Sequence, residues 1–363
     1  MARGLHARGP LGGRSSATSG EKAQPSATGP STTSPALKAS VAPQGHSHPA
    51  SGWAHADSMG AGTMKVEQVG ANTSCLAGFP LDDAINSIRQ LGLRGLTLLA
   101  FQGTRHSIGD LAGFWFRQLS SAERIELKRL TSGFERLAIH APFADLPLFT
   151  YDPRLAMLSL ERVREAIDAA HYLRAQVVVV HANPRPNFDA TEYWGDMVST
   201  FRALGNYAAE RGLRIGLETG FPDKADQFAD LLEAVGHHGV GATLDTGHIA
   251  RYVDRDLWGT PAGRHQLNQR LMDLTRQLGL LIIHCHLHDV RLSGWRDHKA
   301  IGRGVIDFQP VLAELQAFGY EGMLELELEE PDQLTALEES KAQLEEMIFR
   351  LDRLTYISSQ RAA

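Results

Sequence analysis

The 363-residue sequence predicts an α/β fold, a (β/α)8 TIM barrel preceded by a disordered N-terminal tail. Three observations carry that expectation. From Met64 onward, short apolar runs rich in β-branched residues alternate with longer amphipathic stretches, eight times over about 300 residues, the pattern of a strand–helix barrel. Several helical stretches end in Gly where the next strand begins, a C-cap signal. The segment after the first strand, GANTSCLAGFPLDD, lacks the Gly-rich phosphate-binding turn that a doubly wound open sheet would carry there.

The first strand falls on KVEQVGA (65–71), and LDDAINSIRQLG (81–92) follows with apolar positions at helical spacing. GLTLLA (95–100) leads into AERIELKRLTSGF (122–134), and RLAIHA (136–141) into LAMLSLERVREAIDAAHYLRA (155–175). QVVVVHA (176–182) precedes MVSTFRALGNYAAERG (197–212), and LRIGLET (213–219) precedes ADQFADLLEAVG (225–236). GATLDT (241–246) goes with QLNQRLMDLTRQLG (266–279), and LIIHCHLH (281–288) with FQPVLAELQAFG (308–319). Last come GMLELEL (322–328) and QLTALEESKAQLEEMIFRLDRLT (333–355). The barrel is therefore expected over 63–356, with 357–363 a flexible end.

Residues 1–62 are mostly Ser, Thr, Ala, Gly and Pro with no hydrophobic period, a low-complexity composition that cannot support a packed core. Arg-bearing, Ser-rich and poor in acids, they resemble an organellar transit peptide. An extension upstream of a start at Met64 is the favoured reading, because patterned sequence begins there at once. Against a net charge of −6 for the whole chain, the tail holds +3, leaving the rest near −9. That balance argues against a protein built to grip long nucleic acid. No apolar run approaches the roughly 18 residues of a membrane span. Cys75 and Cys285 are too few for a disulfide framework, which points to a reducing compartment, most simply the cytoplasm.

Chemistry in such barrels sits where strands end, so the polar residues there are informative. Strand three ends in His140, strand four in His181 and strand five in Glu218. Strand six ends in Asp245, with His248 a turn later, and strand seven carries His284, His286 and His288. Strand eight alternates Leu324, Leu326 and Leu328 with Glu325, Glu327 and Glu329. Singly, each has a plain explanation: a strand-end His is usually a hydrogen-bonded half-core residue, and a lone Glu marks the exit into solvent. Together, six successive strands aim His, Asp or Glu at one mouth. Buried carboxylates there must be paired or bound to metal, because burying an unpaired charge costs several kcal/mol. Imidazoles and carboxylates without thiolates suit Mn2+, Mg2+, Co2+ or Zn2+ in a catalytic site.

The pieces GLETG, LDTGH, HCHLHD, DHKAIGRGVIDF and GYEGMLELELE, in this order, resemble the xylose isomerase-like TIM barrels over about residues 64–352. That superfamily includes sugar and sugar-phosphate isomerases and epimerases, inosose dehydratases, and apurinic-site endonucleases of the endonuclease IV type. The resemblance implies a metal held by Glu218, Asp245, His286 and Glu327. Glu327 is chosen over Glu325 because the family places its glutamate five residues after the glycine of the Y-x-G turn, here Gly322. His248 matches a family histidine that contacts substrate or a second metal. His140, His181, His248 and His298 also match the larger endonuclease set. That branch reads Asp-x-His where this chain has Arg296-Asp297-His298, which argues against a three-zinc cluster.

The activity so implied is divalent-metal-dependent isomerisation or epimerisation of a sugar, sugar phosphate or polyol, by proton transfer next to a carbonyl through a metal-bound enediolate. Glu218 and Glu327 take the acid and base roles. His140, His181, His248, His288, Arg296 and His298 are the candidate substrate-binding residues, with Arg291 or Arg296 for an anionic end. An apurinic-site phosphodiesterase and an inosose dehydratase-type lyase are the alternatives, and a sugar-binding barrel without turnover is a third. The implied partner is a small molecule, with neither membrane nor nucleic acid expected. Trp115, Phe116, Trp194 and Trp258 are candidates for substrate walls or a homo-oligomer face, with core or capping roles equally open. Within LIIHCHLHDV, His284 is read as a packed core residue and His286 as the ligand. His288 and Asp289 begin the loop, where they orient the metal ligands or meet substrate.

Overall fold

Apolar, β-branched runs such as Val177–Val180 suit a parallel strand covered on both faces. In the computed structural model, which describes residues 63–362, eight such strands close into a barrel. They are β1 (Val69–Asn72), β2 (Gly95–Leu99), β3 (Arg136–His140), β4 (Val177–Val180), β5 (Arg214–Glu218), β6 (Val240–Asp245), β7 (Ile282–Leu287) and β8 (Leu324–Leu326). All neighbours pair in parallel, and β8 closes onto β1. The helices that follow them are α1 (Leu81–Gln90), α2 (Ser121–Thr131), α3 (Pro153–Leu173), α4 (Trp194–Ala209), α5 (Ala225–Val235), α6 (Pro261–Leu278), α7 (Phe308–Ala317) and α8 (Gln333–Ala362). The tail expected over 1–62 lies outside the described residues. No helix among the described residues is long and apolar enough to cross a membrane, and both cysteines are buried and free.

Strand parity divides the barrel into layers. Leu137, Ile139, Val178, Val180, Leu324 and Leu326 join the large core shared with the helices. Ala138, Val177, Val179, Ile283 and Met323 form a separate apolar cluster inside the barrel. Toward the C-terminal ends the inward positions become polar: Thr97, His140, Asp245, His284, His286 and Glu325 are all buried. One extra residue in β7 helps this switch. Ala242 pairs with Ile282 but the next residue, Thr243, pairs with His284, so Ile283 is a bulge. Ile283 can then pack in the apolar layer while His284 begins the polar one.

The structure departs from the sequence reading at the ends of elements. The first strand begins late, because Val66–Gln68 form a 3-10 turn and Gln68 Nε2 donates to the carbonyls of Tyr320 and Gly322 at 3.1 and 3.0 Å. α6 starts five residues earlier than its apolar period, where Thr260 caps a helix with Pro261 in its first turn. α8 runs to Ala362, beyond the last apolar position of its period; extending a formed helix costs far less than starting one. Two hairpins escaped the strand–helix alternation: Arg105–His106 with Gly109–Asp110, and Asp289–Arg291 with Arg296–Lys299.

Gly70 and Gly95 are register partners on β1 and β2, and Met323 packs over both. A Cβ on Gly70 would meet the Gly95 backbone at 2.7 Å. Gly70→Ala is therefore expected to destabilise by about 1–3 kcal/mol through overpacking. A urea unfolding midpoint equal to wild type would contradict this packing.

Candidate metal centre

The four residues expected to hold a metal come from four strands. Glu218 ends β5, Asp245 ends β6, His286 lies one residue before the end of β7, and Glu327 follows β8. Register sets them side by side: Asp245 is paired with His286, and His286 with Glu325. Nδ1 of His286 is 2.9 Å from Glu327 Oε2 and 3.6 Å from both Glu218 Oε2 and Asp245 Oδ2. Ligand atoms of all four lie within 4.8 Å of one another. Glu218, Asp245 and His286 are buried, yet both ring nitrogens of His286 lack a hydrogen bond. Orphaned, converging polar atoms of this kind fit a divalent cation.

Two further sets flank this one. His140, His181 and Glu218 form the first, with His181 Nε2 at 2.9 Å and His140 Nε2 at 3.3 Å from Glu218 Oε2. His140 Nδ1 lies 2.8 Å from the carbonyl of Ala141, so a neutral ring donates there and leaves Nε2 bare toward the carboxylate. The second set is His248, Asp297 and His298. His298 Nδ1 likewise faces the Glu327 carbonyl at 3.1 Å, freeing Nε2. Tying one ring nitrogen to a backbone oxygen is how ligand histidines are commonly oriented.

The second set includes both Asp297 and His298 of the Arg296-Asp297-His298 segment. Adjacent residues of an extended strand point to opposite faces. His298, however, sits at φ +54°, in the left-handed region, which breaks that alternation and lets Asp297 and His298 reach the same site. Arg296, in contrast, is exposed and outside the cavity, as is Arg291.

Of the two roles open to His288, the hydrogen bonds fit the orienting one. It is fully buried; the N–H of His298 donates to its Nδ1 at 2.8 Å, and its Nε2 lies 2.9 Å from the Asp245 carboxylate. With Nδ1 accepting, Nε2 carries the proton and donates to Asp245. No ring atom is left for substrate, so His288 orients Asp245 instead. His140, His181, His248 and His298 do line the cavity, which measures about 260 Å³ and includes Glu218 and Glu327. Sequence reasoning missed Ser74, His106, Phe143 and Arg251 in that lining, and Asn72 beneath it. None of Trp115, Phe116, Trp194 and Trp258 lines it; Trp258 stacks on Trp295 at 6.4 Å. A larger cavity, about 360 Å³, opens at the N-terminal mouth near Arg136, Arg214, Gly322 and His284, away from these ligand sets.

Burial by itself raises a carboxyl pKa, but the surrounding imidazoles hold Glu218, Asp245 and Glu327 well below the usual carboxylate range. Reciprocally, burial disfavours charged His286, yet Glu327, Glu325 and Glu218 push its pKa well above the ordinary imidazole value. His248 rises to about 9 against burial, because of Asp245 and Glu218. Burial and the neighbouring His288 lower His298 to about 4.

A family model described as xylose isomerase-like TIM barrel matches residues 85–349. The chain belongs to that family. Among its relatives, this xylose isomerase-like barrel is 30% identical over 207 residues to a Methanocaldococcus jannaschii protein, covering 53% of this chain and 64% of that one. It is 29% identical over 163 residues to the inosose dehydratase of Geobacillus thermodenitrificans, covering 38% of this chain and 48% of the dehydratase. The matched segment thus spans less than two thirds of either relative. A solved D-tagatose 3-epimerase-like protein superimposes with a TM-score of 0.60 at 24% identity, covering 79% of this chain and 100% of that one. A barrel from Mycobacterium smegmatis in complex with magnesium gives 0.59 at 14% identity, covering 78% and 97%. A Thermus thermophilus protein soaked with zinc chloride gives 0.54 at 23%, covering 76% and 98%. At these identities the structures share the fold.

In this xylose isomerase-like barrel, a cation must displace protons from His286, whose pKa is raised, so affinity should increase as pH rises. Calorimetry of Mn2+ binding in buffers of different ionisation enthalpy should register proton release; pH-independent binding without release would contradict the geometry. Both ring nitrogens of His288 are already used, Nε2 on Asp245 and Nδ1 on the His298 N–H. His288→Ala should accordingly weaken Mn2+ binding by roughly 10–100-fold, whereas His286→Ala should abolish it. Equal losses in both variants would count against this division of roles.

Proposed function

We propose that the protein is a divalent-metal-dependent isomerase or epimerase of a small sugar, sugar phosphate or polyol, acting by proton transfer at the carbon next to a carbonyl. The carrying observation is the placement of two carboxylates around His286: Glu327 arrives from β8 on one side and Glu218 from β5 on the other. Both border a cavity of about 260 Å³, sized for a small molecule. The epimerase-like and dehydratase relatives support the same substrate class.

Glu218, Asp245, His286 and Glu327 would hold the cation, and three carboxylates with one imidazole suit Mn2+, Mg2+, Co2+ or Zn2+. Bound there, the ion supplies Lewis-acid stabilisation of negative charge on substrate oxygens. Glu327 is the base that takes the proton from carbon, and Glu218 is the acid that returns one. His181, its Nε2 2.9 Å from Glu218 Oε2, can pass a proton to that oxygen. Arg251, exposed at the rim and without an ion-pair partner among the described residues, takes over the anion-binding part first given to Arg291 or Arg296. Loss of a β-hydroxyl after the same proton abstraction would make the reaction a dehydration.

The His248–Asp297–His298 set favours one second reading, a phosphodiesterase with more than one cation. Incubation with ketoses, ketose phosphates and inososes in D2O with Mn2+ separates the two. The isomerase reading expects deuterium at the carbon beside the carbonyl, reduced about a hundredfold to ten-thousandfold in Glu327→Gln. Absence of exchange across the panel, with cleavage of abasic duplex DNA, would sink it.

A further inference from the structure

The four-ligand set leaves one carboxylate unassigned. Glu325, two residues before Glu327, is fully buried in the polar layer and is the register partner of His286. Three donors fix it. Asn72 Nδ2 donates to Oε1 at 2.9 Å, Thr97 Oγ1 donates to Oε2, and His284 Nε2 lies 2.6 Å from Oε2. Asn72 also donates to Glu327 Oε1 at 3.2 Å, so one amide ties this carboxylate to the neighbouring ligand.

His286 supplies the other half of the argument. Its Nδ1 faces Glu218, Asp245 and Glu327, whereas its buried Nε2 has no hydrogen bond. The carboxylate oxygen facing Nε2 is Glu325 Oε1, at 3.6 Å, a small shift short of a hydrogen bond. An imidazole that ligates through one nitrogen normally donates its other N–H to a carboxylate, carbonyl or water.

We propose that Glu325 is the positioning residue for His286, accepting the Nε2 proton so that Nδ1 stays bare and aimed at the cation. The proposal rests on the metal-centre reading of Glu218, Asp245, His286 and Glu327. Glu325 is not a fifth ligand, because it stands on the Nε2 side of the ring while the other carboxylates stand on the Nδ1 side. His284, His286 and Glu325 are also close enough to hold an ion. To do so, Glu325 would have to release His284, and the single lone pair of neutral His286 would have to serve two metals. Nor is Glu325 merely the partner of His284. That pair needs only Oε2, whereas Asn72 orients Oε1, the oxygen nearest His286.

The test uses the full chain loaded with Co2+, which shifts the N–H proton of a ligating imidazole far from the diamagnetic NMR envelope. Wild type should show an exchangeable resonance from His286 Nε2–H, absent in His286→Ala. In Glu325→Leu, which has no acceptor, that resonance should disappear through solvent exchange and Co2+ affinity should fall roughly 10–100-fold. In Glu325→Gln, nearly isosteric and still able to accept, the resonance should persist at a changed shift with a smaller loss of affinity. An unchanged resonance and affinity in Glu325→Leu overturns the proposal. If that variant does not fold, an unchanged shift in Glu325→Gln overturns it instead. Failure of wild type to bind Co2+, or full binding by His286→Ala, would defeat the metal-centre reading itself, a different result.

Discussion

Four carboxylates converge on one imidazole in the mouth of this barrel. Glu327, Glu218 and Asp245 lie 2.9, 3.6 and 3.6 Å from His286 Nδ1, and Glu325 lies 3.6 Å from its Nε2. Two like charges 4 Å apart repel by about 4 kcal/mol at an effective dielectric near 20. Several such pairs cannot be left bare in a protein whose net stability is about 5–15 kcal/mol. Positive charge must therefore be present, as protonated imidazoles or as a bound cation. The histidines packed against the cluster and the backbone oxygens that orient His140 and His298 follow from that requirement.

The fold meets the requirement by layering. A parallel barrel keeps strand ends in register, so Asp245, His286 and Glu325 lie on neighbouring strands at one level. Below them, Ala138, Val177, Val179, Ile283 and Met323 make an apolar layer that leaves the polar groups to satisfy one another. The bulge at Ile283 and the left-handed backbone at His298 are local departures from regular structure, and both bring histidines to the site.

Regular features were legible in the sequence because their physics is local. Two-residue alternation marked the strands; the choice of Glu327 among its neighbours came from the family resemblance instead. Conformation at single residues left no such trace. That Asp297 joins His248 depends on φ at His298, which no periodicity reports. Asn72 looks like a turn residue, and its Oδ1 does accept from the Ser74 N–H at 2.9 Å; that its Nδ2 reaches two carboxylates appears only once β1 lies beside β8. The hairpin strands around His106 and His298 are two to four residues long, too short to stand out against the barrel's own alternation. Which of its two open roles His288 takes turns on its tautomer, which a neighbour's backbone N–H decides.

The central claim is that this convergence of charge exists to hold a cation. Anomalous scattering from a crystal grown with Mn2+ tests it most directly. The account predicts a peak about 2.0–2.2 Å from ligand atoms of Glu218, Asp245, His286 and Glu327. A well-ordered site without anomalous density among those four residues would contradict it.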